Sequence, residues 1–175
     1  MYLYSRFLKS TILWGNIFVS TFIAFVWGIL FLAQNTHYSL NNVFLIEICF
    51  VYMSFAFLVN LIREIIKDME DMDGDLQAQI KTLPIVVGMP VTKMIVKVIT
   101  MGLISGLLLW LFISNYTTAL PSKALLGLFV IAPLGTLIVK LDKAKNKFDY
   151  GNMSSLLKWV MLAGLVSIVV ISKNI

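Results

Sequence analysis

Three features of this 175-residue chain predict an all-α integral membrane fold. Hydrophobic residues make up 59% and charged residues 13%, with a mean hydropathy of +0.91, whereas soluble domains run at roughly 45–50% apolar and 25% charged. Five apolar runs approach the length of a membrane span, and none shows the alternation of a barrel strand. Backbone polar groups in lipid must pair within the segment, so these runs are expected to be helices. Lys and Arg also concentrate in alternate connections, the signature of a chain that crosses a bilayer back and forth.

The first run, Ile12 to Ala33, follows Arg6 and Lys9. It is longer than the apolar core of a signal peptide, about 7–15 residues, and is read as a retained span. Asn16 lies inside it and is expected to form an interhelical hydrogen bond. A polar loop containing His37 follows, and no chemistry is assigned to that lone histidine. The second run, Val43 to Ile62, carries Glu47 near its outer end, the sole cysteine Cys49, and the polar residues Tyr52, Ser54 and Asn60. One cysteine excludes an intrachain disulfide and a cysteine-based metal site.

After the acidic connection, Pro84 and Pro90 bracket a segment too short to cross the bilayer, expected to be re-entrant or interfacial. The third run, Met94 to Ile113, has Gly102 and Gly106 at a spacing suited to close helix packing. The fourth, Ala124 to Val139, carries Pro133 and Gly135, which predict a kink. The loop KLDKAKNKFDYGN leads into the fifth, Ser155 to Ile171. Its lysines suit a basic surface near anionic membrane lipid, and the alternative reading is that one of them helps attract a diphosphate. The whole, 1–175, is read as one transmembrane domain with a loop over 63–93.

Basic residues are abundant in the N-terminal arm, in the 63–93 connection and in the Lys140–Lys147 loop, and sparse in the other connections. The positive-inside rule then places the N-terminus and the acidic loop in the cytoplasm. The net charge of +5 is accounted for by this sorting, so no nucleic-acid partner is expected.

The stretch REIIKDMEDMDGDLQAQIKTLP holds six of the nine acidic residues, all between Glu64 and Asp75. Continued as a helix, it would put Glu64, Asp68, Asp71 and Asp75 on one face. Crowded carboxylates favour a hard cation, and Mg²⁺ takes one or two carboxylates together with waters and substrate phosphate oxygens. Gly74 is expected to break the helix.

The DxxxD pair Asp71 and Asp75, with Lys81-Thr82-Leu83-Pro84 after it and Arg63-Glu64-Ile65-Ile66-Lys67-Asp68 before it, resembles the second aspartate-rich motif of the UbiA superfamily of intramembrane prenyltransferases. The flavour is that of the geranylgeranylglycerol-phosphate branch. The resemblance implies a nine-helix fold, of which this chain is similar to the last five helices. It implies a Mg²⁺ site at Asp71 and Asp75 with Asp68 as helper, and Lys81, then Arg63 and Lys67, paired with the phosphates of a polyprenyl diphosphate. It also implies a lipophilic acceptor and a plasma membrane location in a bacterium or archaeon.

The family's first motif, NxxxDxxxD, has no counterpart, because no aspartate precedes Asp68. Gln79 also stands where many members have glycine. A partial or split enzyme, inactive until joined by an N-terminal half carrying NxxxDxxxD, is therefore the expectation. The alternatives are a non-catalytic isoprenoid-binding membrane subunit and a small cation-transporting membrane protein, the latter disfavoured because the acids cluster at one membrane face.

Overall fold

The computed structural model describes residues 12–34, 43–113 and 120–172. Arg6, Lys9, His37 and Lys173 lie outside the described residues. Every regular element among those described is helical: α1 (Trp14–Gln34), α2 (Val43–Glu70), α3 (Met72–Gln77), α4 (Leu83–Val87), α5 (Met89–Ile113), α6 (Leu120–Leu126), a π-helical segment (Gly127–Ile131), α7 (Ala132–Lys143) and α8 (Lys147–Ser172). The all-α membrane class expected from the sequence is the class observed. Among the described residues, three stretches are long and apolar enough to cross a membrane: Ile46–Glu70, Met89–Ile113 and Lys123–Lys143. Trp14–Val26 is a shorter apolar helix.

The helix α2 is the centre of the bundle and packs against α1, α4, α5 and α8. Its buried stripe, Tyr52, Phe55, Val59, Ile62, Ile66 and Met69, steps by three and four residues, which keeps one face against a partner. The helix α8 repeats the rhythm with Tyr150, Met153, Leu157, Val160 and Ser167. The two run antiparallel. The Tyr52 and Ser167 hydroxyls lie 2.6 Å apart at one end, and at the other a Cβ added to Gly151 would stand 3.1 Å from a Glu70 carboxylate oxygen. Lipid tails are as apolar as these side chains, so dispersion in close packing, together with interhelical hydrogen bonds, holds such a seam.

Proline 133 has no N–H, and its ring would collide with the carbonyl four residues earlier in a regular helix. The chain answers with the π segment just ahead of it, where the Ala132 N–H bonds to the Gly127 carbonyl. The expected kink thus takes the form of a π bulge. The glycines 102 and 106 behave differently from expectation. Both are exposed, with nothing within 4 Å of an added Cβ, and they line an open groove of about 250 Å³ between α2 and α5 with Ser54, Leu58 and Trp110.

Candidate functional site

The acidic stretch is more helical than a loop. The helix α2 continues in register to Glu70 and bends at Asp71, and α3 resumes at Met72. The break therefore falls at Asp71, while Gly74, the expected breaker, sits inside α3. Backbone bonds from Asp71 to Lys67 (2.9 Å) and from Asp75 to Asp71 (3.0 Å) carry the helical path almost unbroken through the bend, so Asp68, Asp71 and Asp75 keep near-helical spacing along the chain.

The end of α3 explains Gln79. Its N–H bonds to the Leu76 carbonyl at 3.2 Å, and the Ile80 N–H bonds to the Asp75 carbonyl at 2.9 Å. This pair of bonds is a Schellman motif, whose C′ residue is left-handed and usually glycine. Gln79 has φ +54°, so the chain places a side chain where the backbone favours none. Lys81 then lies exposed in the turn, and Thr82 and Pro84 are buried at the start of α4.

The neighbours of the three aspartates come from three directions. Asn16 on α1 donates its amide to Asp68 at 2.6 Å, so Asn16 does form an interhelical bond. The same seam holds Asn60, which donates to the Ser20 hydroxyl at 3.2 Å. Asp71 heads α3 without a side-chain capping bond, and its carboxylate lies 3.4 Å from the Lys147 ammonium of α8. Asp75 is buried, at 7% exposure. Of the basic candidates, Arg63 is half-buried and paired with Glu64 at 2.5 Å, and Lys67 and Lys81 are exposed.

Among the described residues, no group of three or more His, Cys, Asp or Glu side chains converges as a metal cage. Mg²⁺ asks for less, one or two carboxylates completed by waters and phosphate oxygens, and the Asp68–Asp71–Asp75 row supplies that donor chemistry. Two buried side-chain atoms on the same stretch, Arg63 Nε and Thr82 Oγ1, have no hydrogen-bond partner, leaving donors that an anionic oxygen could use. Elsewhere Glu47 is engaged by the Trp110 indole N–H at 2.7 Å, a structural partnership far along α2 from the acids.

Sequence reasoning did not single out Lys147 or pair Asn16 with Asp68. The loop carrying Lys147 is tightly built. The Asp149 carboxylate accepts the N–H groups of Lys145 and Asn146 at 3.0 and 3.1 Å, capping α8, and these bonds hold its pKa below the usual carboxylate value. Lys93 donates to the Ala144 carbonyl at 2.6 Å, and Lys97 pairs with Asp142.

The UbiA prenyltransferase family matches residues 1–167, and the chain belongs to that family. Its relatives include the digeranylgeranylglyceryl phosphate synthase of Methanopyrus kandleri, 31% identical over 175 residues, covering 95% of this chain and 56% of that protein. The protein of the same name from Methanobrevibacter smithii is 37% identical over 95 residues, 54% of this chain and 31% of its own length. That of Thermococcus gammatolerans is 64% identical over 33 residues, 19% and 12% of the two chains. The chain spans about half the length of the Methanopyrus relative. No solved structure matches significantly.

Proposed function

We propose that this chain carries the second aspartate motif of a Mg²⁺-dependent prenyltransferase that moves a prenyl group from a polyprenyl diphosphate to a lipophilic acceptor. A geranylgeranylglyceryl phosphate acceptor is favoured by the names of the relatives. The observation that carries the reading is the row Asp68, Asp71 and Asp75, held at the end of a membrane-length helix in a UbiA-family chain.

Asp71 and Asp75 would hold the metal, with Asp68 as helper. When bound, Mg²⁺ offsets the charge that builds on a departing diphosphate. Arg63, Lys67 and Lys81, on the same stretch of chain, would pair with phosphate oxygens. The bend at Asp71 and the α1 contact at Asp68 fix where the carboxylates stand. The apolar grooves beside α2, about 390 Å³ against α1 and about 250 Å³ against α5, offer room for isoprenoid chains and keep water from an allylic cation.

The reading places the N-terminus and the 63–93 segment on the cytoplasmic side of an archaeal or bacterial plasma membrane, with 1–175 as a single five-span transmembrane domain. It also makes the chain one part of a site completed by a segment bearing NxxxDxxxD. A second reading, a non-catalytic isoprenoid-binding subunit, is supported by the lack of any aspartate before Asp68, which leaves NxxxDxxxD without a counterpart in these residues.

The two readings part in one experiment. The chain is reconstituted in lipid vesicles with an N-terminal UbiA half carrying NxxxDxxxD, radiolabelled geranylgeranyl diphosphate and geranylgeranylglyceryl phosphate. EDTA-sensitive formation of the doubly prenylated lipid is expected. Its absence, with the donor still bound, supports the non-catalytic subunit.

A further inference from the structure

The packing of α8 on α2 brings one lysine of the fourth loop to the acidic row. Gly151 abuts Glu70, so close that an added Cβ would stand 3.1 Å from its carboxylate. This seats the first turn of α8 on the end of α2. The Asp149 cap pins the backbone at Lys145 and Asn146, and the Tyr150 hydroxyl donates to the Ala144 carbonyl at 3.4 Å. From this braced turn Lys147 reaches Asp71, with its ammonium 3.4 Å from Oδ1. Lys93 and Lys97 are committed elsewhere, to Ala144 and Asp142.

We propose that Lys147 is a further diphosphate-binding residue of this site, supplied by α8 from outside the aspartate motif. The inference rests on the reading of Asp71 as a metal ligand. An ammonium and a divalent ion are competitors for one carboxylate. With a divalent ion held by Asp71, the Lys147 ammonium would be released to pair with a phosphate oxygen of the substrate. Both partners are substantially exposed, at 69% for Lys147 and 44% for Asp71, and an exposed pair of this kind is weak enough to exchange readily.

The competition gives a signature of opposite signs that a merely structural lysine would not produce. The chain, reconstituted in nanodiscs with an N-terminal UbiA half carrying NxxxDxxxD, is titrated with Mn²⁺, read by electron paramagnetic resonance, and then with labelled pyrophosphate at saturating Mn²⁺. Lys147→Met is expected to tighten Mn²⁺ alone about twofold to fivefold and to weaken pyrophosphate about fivefold to tenfold, on the scale of one exposed charge contact. Lys147→Arg should restore pyrophosphate binding. Both affinities moving together, or unchanged pyrophosphate binding in Lys147→Met, overturns the proposal. Asp71→Asn separates the layers. If it weakens Mn²⁺ while Lys147→Met leaves pyrophosphate unaffected, the Lys147 assignment alone falls. If it leaves Mn²⁺ binding unchanged, or the joined halves bind no Mn²⁺, the metal-site reading falls and the Lys147 assignment with it.

Discussion

Asn16 and Asp68 stand 52 residues apart in sequence and 2.6 Å apart in space, joined by an amide-to-carboxylate hydrogen bond across the α1–α2 seam. The bond fixes which way the first acid of the row faces, so α1 acts on the site without belonging to the motif. Hydrogen bonds to charged groups contribute about 1.5–3 kcal/mol in water-soluble proteins, and interhelical bonds in membranes average about 0.6 kcal/mol. Asn16→Ala is expected to cost about 1 kcal/mol of stability, read by thermal unfolding in nanodiscs. Unchanged stability would show that the bond holds nothing.

Gly164 faces the Phe55 ring so closely that an added Cβ would collide with it. Gly164→Ala therefore overpacks the α2–α8 seam, and about 1–3 kcal/mol of destabilisation is expected. Adding Phe55→Leu removes the clashing edge, and the double variant should recover part of the loss, as contacting positions couple. Additive losses in chemical denaturation would contradict this contact.

Gln79 occupies the left-handed C′ position of the turn that closes α3, at φ +54°. A left-handed residue with a Cβ costs about 1–2 kcal/mol, and glycine largely escapes that penalty. Gln79→Gly is expected to raise stability by about 1 kcal/mol, visible as a higher melting temperature. A lower one would mean the glutamine side chain contributes more than its backbone strain costs.

The Asp149 cap predicts a pH dependence. Backbone N–H bonds from Lys145 and Asn146 lower its pKa, so its stabilising effect is full above the unfolded value of about 3.9 and fades as pH falls through the folded value. Asp149→Asn should be less stable than wild type at pH 7, and the gap should narrow as pH falls through the folded value of Asp149, which lies below the ordinary carboxylate range. A gap that persists in acid would assign the effect to something other than the cap.

The helices were legible where lipid contact wrote them. Met94 to Ile113 lies within α5, and Val43 to Ile62 within α2. Hydropathy stops at the water boundary and ends the second run at Ile62, while the spacing of the acids carried the helix onward, to where the stripe Ile62, Ile66 and Met69 still packs on the bundle. Gly74 was a reasonable breaker by propensity, but the bend fell at Asp71 and the true glycine-like position was Gln79. The resemblance had marked Gln79 without giving its reason. Asn16 could be assigned an interhelical bond from its type alone, but its partner depends on the antiparallel register of α1 and α2. The link from Lys147 to Asp71 depends in the same way on how α8 seats on α2, which no local pattern states.

The central claim is that Asp71 and Asp75 serve a Mg²⁺-dependent transfer, and the most direct measurement is the reconstituted prenyl-transfer assay with single alanine variants. Asp71→Ala and Asp75→Ala should each abolish EDTA-sensitive product formation, while Asp73→Ala, exposed on another face of α3, should retain it. Wild-type rates in Asp71→Ala and Asp75→Ala would contradict the account.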